Sequence, residues 1–196
     1  MSSLNEINQY NNNVFYNIYR QQSLVSKYER YLLLRISISK SLPNYNTVLN
    51  EYLTRAGEHN NKILNDFFPD AGFNLLLTDE LNTAEGSSYK VDFGVKCAAT
   101  MITDNKAYPS GFYMYPRSST GSKTGLRLAN SVGIIDSGYR GNLIGVFDSR
   151  KFETISSYSS IAQICGPSLV PIWVDVVDDL DENTERGAGG FGSTGV

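Results

Sequence analysis

Polar and apolar positions change their rhythm three times along the chain. Residues 1–28 are rich in Asn, Gln, Ser and Tyr, with Val14, Phe15, Ile18, Tyr19 and Leu24 scattered at partly helical intervals. That pattern predicts an N-terminal polar extension, either an adapter helix or a disordered segment. From Tyr31 to Ile38 a continuous apolar run passes into alternation, which suits a first β-strand, and Pro43-Asn44 ends it. Between Tyr45 and Phe68, residues Val48, Leu49, Tyr52, Leu53, Ala56, Ile63, Leu64 and Phe67 recur at three-, four- and seven-residue spacings. They predict one helix, or two broken near Gly57. Beyond Asp70 the apolar stretches become short and are separated by turn residues, at about 72–77, 88–102, 110–115, 126–132, 142–148, 160–165 and 169–177. Such spacing predicts an all-β sandwich or jelly roll. The acidic run from Asp175 to Glu185 reads as a solvated linker, and it lacks the glycine and spacing of a calcium loop.

Within this pattern Gly133-Ile-Ile-Asp-Ser-Gly-Tyr-Arg-Gly141 places one carboxylate, Asp136, and one ring, Tyr139, on a glycine-bounded turn between two strand-like runs. A hairpin whose backbone approaches a ligand closely is one reading, and a surface hairpin with a solvated Asp is the other. Tyr115-Pro-Arg-Ser-Ser119 sets an arginine beside two hydroxyls, the donor types that phosphate oxygens require. The C-terminal run Arg186-Gly-Ala-Gly-Gly-Phe-Gly-Ser-Thr-Gly195 repeats that chemistry and adds Phe191 as a flat apolar face, although such a tail also suits a flexible terminus. It matches GxGxxG at Gly187, Gly189 and Gly192, but no helix follows, which excludes a dinucleotide fold.

Composition narrows the classes. A chain of 196 residues and 21.7 kDa forms one domain with some elaboration. The net charge of -3 argues against a nucleic-acid partner, so a polyanionic substrate must meet local charge from Arg117, Arg140, Arg186 and Lys123. Cys97 and Cys165 have neither CxxC spacing nor a histidine partner and read as buried free thiols. The sole histidine, His59, lies in the polar run Gly57-Glu-His-Asn-Asn61, which places it on a solvated helix face or turn and leaves no Ser-His-Asp triad. There is no basic-then-apolar leader and no membrane-length apolar run, so a soluble, intracellular protein without a membrane partner is expected.

Taken in order, five segments resemble the motifs of the homotrimeric dUTP pyrophosphatases, the dUTPases. Asp70-Ala-Gly-Phe-Asn-Leu75 resembles the first, Pro116-Arg-Ser-Ser119 the second, Gly133 to Gly141 the third, Ile161-Ala-Gln163 the fourth and Arg186 to Gly195 the fifth. The resemblance implies a distorted jelly-roll or β-barrel domain over residues 29–185, with a helical insertion at about 45–68 that departs from the family pattern. Residues 186–196 would form a Gly-rich arm that closes a neighbouring subunit's site. It further implies hydrolysis of dUTP to dUMP and pyrophosphate, which keeps uracil out of DNA and supplies dUMP for dTMP synthesis.

By the same resemblance Asp136 is the general base for the attacking water. Arg117, Ser118, Ser119, Gln163, Arg186, Ser193 and Thr194, with Mg2+ as cofactor, meet the phosphoryl charge. Backbone groups of Gly133, Ile134, Ile135 and Asp136 select uracil, with help from Asn130. Tyr139 lies against the deoxyribose, and Phe191 and Gly192 close over the base. Each site would draw on three subunits of a homotrimer. Two positions depart from the family: Asn74 stands where an aspartate holds metal-bound water, and Ser160 stands where an arginine precedes Ile161. These departures keep open a non-catalytic, dUTPase-like binding or virion-structural module. A dCTP deaminase lacks support, because Asn142-Leu-Ile-Gly-Val-Phe147 has no glutamate to move protons at a cytosine ring. The Asn, Ile, Tyr and Lys bias suits a large DNA virus among other AT-rich sources, with a cytoplasmic (host-cell, if viral) or nuclear location.

Overall fold

The computed structural model describes residues 22–103, 106–180 and 184–189. Its strands are β1 (Arg30–Ile38), β2 (Gly72–Leu75), β3 (Leu81–Thr83), β4 (Ser88–Thr103), β5 (Lys106–Ser110), β6 (Phe112–Pro116), β7 (Leu126–Leu128), β8 (Gly133–Ile135), β9 (Asn142–Ser149), β10 (Glu153–Ile155), β11 (Ala162–Cys165) and β12 (Ile172–Val177). Helix α1 spans Tyr45–Asn65 and the short α2 spans Ser118–Lys123. One sheet runs β12-β1-β4-β9-β7 with β5 added beside β4, a second runs β2-β11-β6-β8, and β3 pairs with β10. The fold is therefore all-β with a helical insertion, in keeping with a distorted jelly roll. Inward residues of the sheets, including Leu32, Leu34, Ile36, Phe93, Val95, Phe147 and Ile164, close one continuous core. Among the described residues no helix is long and apolar enough to cross a membrane.

The insertion is one unbroken helix. Gly57 has open space around it, and its propensity cost of about 1 kcal/mol is outweighed by the buried stripe Val48, Tyr52, Ala56, His59 and Ile63. That stripe packs along β12, an edge strand. Asn60 completes the contact as a substitute strand would: its Nδ2 donates to Val174 O at 2.7 Å, and Val174 N donates to its Oδ1 at 2.9 Å. An exposed sheet edge is thereby covered. His59, expected on a solvated face, is instead buried, with Nε2 2.9 Å from Ile172 O and its ring edge-on to Phe73. Burial lowers its pKa, a shift opposed by the Ile172 carbonyl and by Asp70.

Residues 22–27 are helical, and Leu24 joins Tyr31, Ile63, Ile102 and Trp173 in a second apolar cluster. Lys27 Nζ donates to the carbonyls of Ile63, Leu64 and Asp66, so a cation sits at the C-terminal end of α1, where the helix dipole favours it. Val14, Phe15, Ile18 and Tyr19 lie outside the described residues.

Three further expectations change. The strand expected at 110–115 is two strands flanking Gly111. The acidic run is not wholly a solvated linker, since Asp175 to Val177 belong to β12 and Leu180 is buried. The glycine-rich hairpin is also more than a turn. β7 and β9 do pair antiparallel, but β8 leaves them to pair with β6 in the other sheet, Met114 opposite Gly133.

Candidate functional site

Because β8 is the last strand of its sheet, one row of its N–H and C=O groups has no strand partner among the described residues. Gly133, Ile134 and Ile135 line a cavity of about 580 Å3 together with Asn130, Asp136, Tyr139, Arg186 and Gly189. The Ile134 side chain is itself exposed, so this strand offers the cavity mainly backbone. Such an array of fixed donors and acceptors can read a planar polar edge.

Asp136 follows directly, and the Tyr139 N–H donates to its carbonyl at 3.0 Å, which shapes the turn. The carboxylate is largely exposed, with Oδ2 3.2 Å from Arg186 Nη2. Tyr139 is half-buried and donates through its hydroxyl to Asn142 O at 2.9 Å. Burial, and then the Asp92 carboxylate, raise its pKa, while Arg186 opposes them. The ring folds back over Gly141, where an added Cβ would lie 2.7 Å from Tyr139 Cζ, so only glycine admits this ring position.

A second cavity, of about 590 Å3, is lined by Asp70, Ala71, Gly72, Asn74, Tyr115, Pro116, Arg117, Ser118, Gln163, Cys165 and Leu169. The register explains the gathering. Gln163 on central β11 stands opposite Asn74 on one side and Tyr115 on the other, so the three form a row across the sheet. At Gly72 an added Cβ would lie 3.1 Å from Gln163 Cδ and 3.2 Å from Cys165 Sγ, so this glycine keeps room for the Gln163 amide. Gln163 Nε2 then donates to Pro116 O at 3.3 Å. The second-motif helix is fastened beside it, with Arg117 N donating to Ile161 O at 3.2 Å and Thr120 Oγ1 to the same oxygen at 2.7 Å.

Among the described residues no group of three or more His, Cys, Asp or Glu side chains could hold a metal by itself. The second cavity is lined by the Asp70 carboxylate, which pairs with Lys62 Nζ at 3.3 Å, and by the Asn74 and Gln163 amides, oxygen donors of the hard type that Mg2+ and its water shell accept.

The two cavities share no lining residue. Asn130, Gly133 to Asp136, Tyr139 and Arg186 meet in the first. Arg117, Ser118, Gln163 and Asn74 meet in the second, while Ser119 lies on α2 outside both. Lys123 is exposed at the end of α2 and lines neither, and Arg140 turns its guanidinium onto the carbonyls of Ser137 and Tyr139. Phe191, Gly192, Ser193 and Thr194 lie outside the described residues. Arg186, expected at a neighbouring subunit's site, here pairs with Asp136 of its own chain. Thr184 Oγ1 donates to Gly138 O, and Arg140 N donates to Gly187 O at 2.8 Å, so residues 184–189 lie along segment 136–140. Cys97 and Cys165 are buried and free, as expected.

Sequence reasoning did not single out Met114 or Ile144 to Val146, which line the first cavity. Their apolar alternation marked them only as strand residues. Tyr115 was visible as the neighbour of Pro116 but carried no signal that it faces Gln163.

The dUTPase family model matches residues 66–195. The deoxyuridine 5'-triphosphate nucleotidohydrolase of Cutibacterium acnes is 37% identical over 132 residues, 65% of this chain and 80% of that protein. The protein of the same name from Francisella tularensis subsp. novicida is 39% identical over 104 residues, 52% of this chain and 70% of that one. Among solved structures, the dUTPase from Streptococcus mutans aligns over 48% of this chain and 75% of that chain, at 24% identity and a TM-score of 0.40. A match that runs unbroken from the first motif to the last means that the chain belongs to the dUTPase family.

Proposed function

We infer that the chain hydrolyses dUTP to dUMP and pyrophosphate. The observation that carries this reading is one cavity in which an unpartnered strand edge, a carboxylate and a sugar-sized aromatic face converge: β8, Asp136 and Tyr139. Uracil pairs with the β8 backbone. Cytosine would leave donors and acceptors facing their own kind, at about 1 to 3 kcal/mol for each group left unpaired. Tyr139, its ring held in place over Gly141, lies against the deoxyribose and excludes a 2′-hydroxyl.

Asp136 aligns a water and takes its proton as the water oxygen attacks the α-phosphorus and pyrophosphate leaves. Arg117, Ser118, Ser119 and Gln163 meet the triphosphate oxygens, joined by Arg186, Ser193 and Thr194. Mg2+ carried on the triphosphate would neutralise phosphoryl charge, with Asn74 reaching it only through water. As a neutral amide, Asn74 keeps an acceptor oxygen and loses a charge that an aspartate would supply.

The separation of the two cavities supports a site assembled between subunits of a homotrimer. The base and uracil edge come from one copy and the phosphate cradle from a second. Such a site would keep uracil out of DNA and supply dUMP for dTMP synthesis, with the enzyme in the cytoplasm or nucleus. The test is pyrophosphate release from dUTP, dCTP and dTTP with Mg2+, wild type beside Asp136→Ala. Turnover of dUTP alone, abolished by the substitution, is expected. A folded wild type that binds dUTP without turning it over would favour the non-catalytic module to which Asn74 and Ser160 point.

A further inference from the structure

The insertion α1 lines neither cavity, yet its polar side chains reach the strands that carry the phosphate half of the site. Leu76 N, just past β2, donates to Tyr52 Oη at 3.1 Å, and the Tyr52 and His59 rings both pack on Phe73. Asn44, at the helix start, donates through Nδ2 to Thr78 O at 2.7 Å and to Tyr158 Oη at 3.3 Å. Arg55, one turn beyond Glu51 and paired with it at 3.3 Å, extends furthest. Its Nη2 donates to Tyr158 O at 3.1 Å, and its Nη1 to Ser160 Oγ at 3.4 Å.

The segment that Arg55 grips leads straight to the carbonyl on which the phosphate-binding helix hangs. Tyr158 holds a left-handed backbone (φ 62°), a conformation that a bulky residue keeps only when its surroundings enforce it. A set of bonds around the turn does so: Tyr158 N donates to Leu77 O at 2.8 Å, Leu77 N donates to Ser159 O at 2.9 Å, Asn44 Nδ2 reaches Tyr158 Oη, and Arg55 takes the Tyr158 carbonyl. Three residues on, Ile161 O accepts from both Arg117 N and Thr120 Oγ1, and Gln163 follows on β11. A forked guanidinium that binds two points of one turn restricts its orientation as well as its position, which a single ammonium does not.

We propose that Arg55 is a positioning residue for the phosphate cradle, supplying from the inserted helix the guanidinium that Ser160 does not provide from the fourth motif. The proposal rests on the dUTP-hydrolysing reading above. Arg55 touches neither substrate half-site and acts through the turn 158–160 on Arg117 and Gln163. Its loss therefore weakens substrate binding more than it slows the chemical step, because Asp136 and β8 lie in the other cavity.

The test compares wild type, Arg55→Lys, Arg55→Met and Arg55→Met combined with Ser160→Arg, by steady-state hydrolysis of dUTP with Mg2+ and by thermal melting. Arg55→Met is expected to raise KM about tenfold while kcat changes less than about threefold, with Arg55→Lys between the two, since charge without the fork restores part of the grip. Returning a guanidinium at position 160 should recover most of the lost KM. An unchanged KM in Arg55→Met overturns the proposal, as does a parallel fall of kcat, kcat/KM and melting temperature that Ser160→Arg does not rescue. If Arg55→Met does not fold, an Arg55→Lys protein with wild-type KM is the overturning result. Failure of the broader reading looks different, because wild type itself would then leave dUTP intact.

Discussion

Asn60→Ala removes the side chain that covers the β12 edge. Val174 is 1% exposed, and both its backbone N–H and its C=O are satisfied on that edge by the Asn60 amide, at 2.9 and 2.7 Å. Truncation leaves a buried donor and a buried acceptor without partners, at about 1 to 3 kcal/mol each. Alanine returns roughly half a kcal/mol through its better helix propensity. Partial access of water to the gap lowers the upper end, so the expected net loss is about 1.5 to 4 kcal/mol. For a chain of this size that corresponds to a fall in Tm of roughly 3 to 15 °C.

Trp173 is the chain's only tryptophan and sits in β12 beside the lesion, so its fluorescence during urea unfolding reports on the affected strand. Wild type and variant must be compared at equal protein concentration, because self-association shifts apparent stability by mass action. Asn61→Ala, one position along on the exposed face, serves as the control and should change stability by less than about 0.5 kcal/mol. An Asn60→Ala loss as small as the control's would refute the edge-covering argument.

Other substitutions probe the site. Asp136→Asn should cut dUTP turnover about 10²- to 10⁴-fold by rapid-quench assay. Its effect on unfolding should stay within about 1 kcal/mol, since the ion pair it breaks is 58% exposed on the carboxylate side. Gly141→Ala should swing the Tyr139 ring, because the new Cβ would lie 3.0 Å from Cε2, and competing-substrate kinetics should show the preference for dUTP over UTP narrowed about tenfold. His59 supplies a pH prediction. Its folded pKa lies below the ordinary value of 6.5, so the unfolded chain binds the extra proton first. Stability is thus complete above about pH 6.5 and declines as pH falls from there toward the folded pKa. Urea midpoints measured from pH 7.5 to 5 should carry this slope in wild type and lose it in His59→Gln, with Asp70 and Lys62 as the nearest charges acting on the ring.

The strands were legible because their information is local. Alternation in Tyr31 to Ile38 and short apolar runs after Asp70 need no partner to be recognised, and β1, β4, β9 and β12 fall close to where the pattern puts them. The helical insertion was legible for the same reason, although Gly57 invited a break that packing on β12 overrode. His59 was not legible as a buried residue because it lies in a polar run, and polar neighbours ordinarily signal solvent. Asn60 belongs to that run and is polar for the opposite reason, since it hydrogen-bonds a buried strand edge. Nothing in residue order distinguishes a side chain that faces water from one that replaces it.

Residue order by itself determined the class of strand-rich fold, the five ordered motifs and the residue types available for base, sugar and phosphate. These are properties of short segments, set by side-chain period, glycine placement and donor chemistry. Only the tertiary structure decided that β8 abandons its neighbours for β6, which bares a backbone edge. It alone set Arg55 against Ser160 from 105 residues away, and divided the motifs between two separate cavities. Those outcomes depend on which surfaces bury one another, and that choice is a sum over long-range contacts that no local pattern encodes.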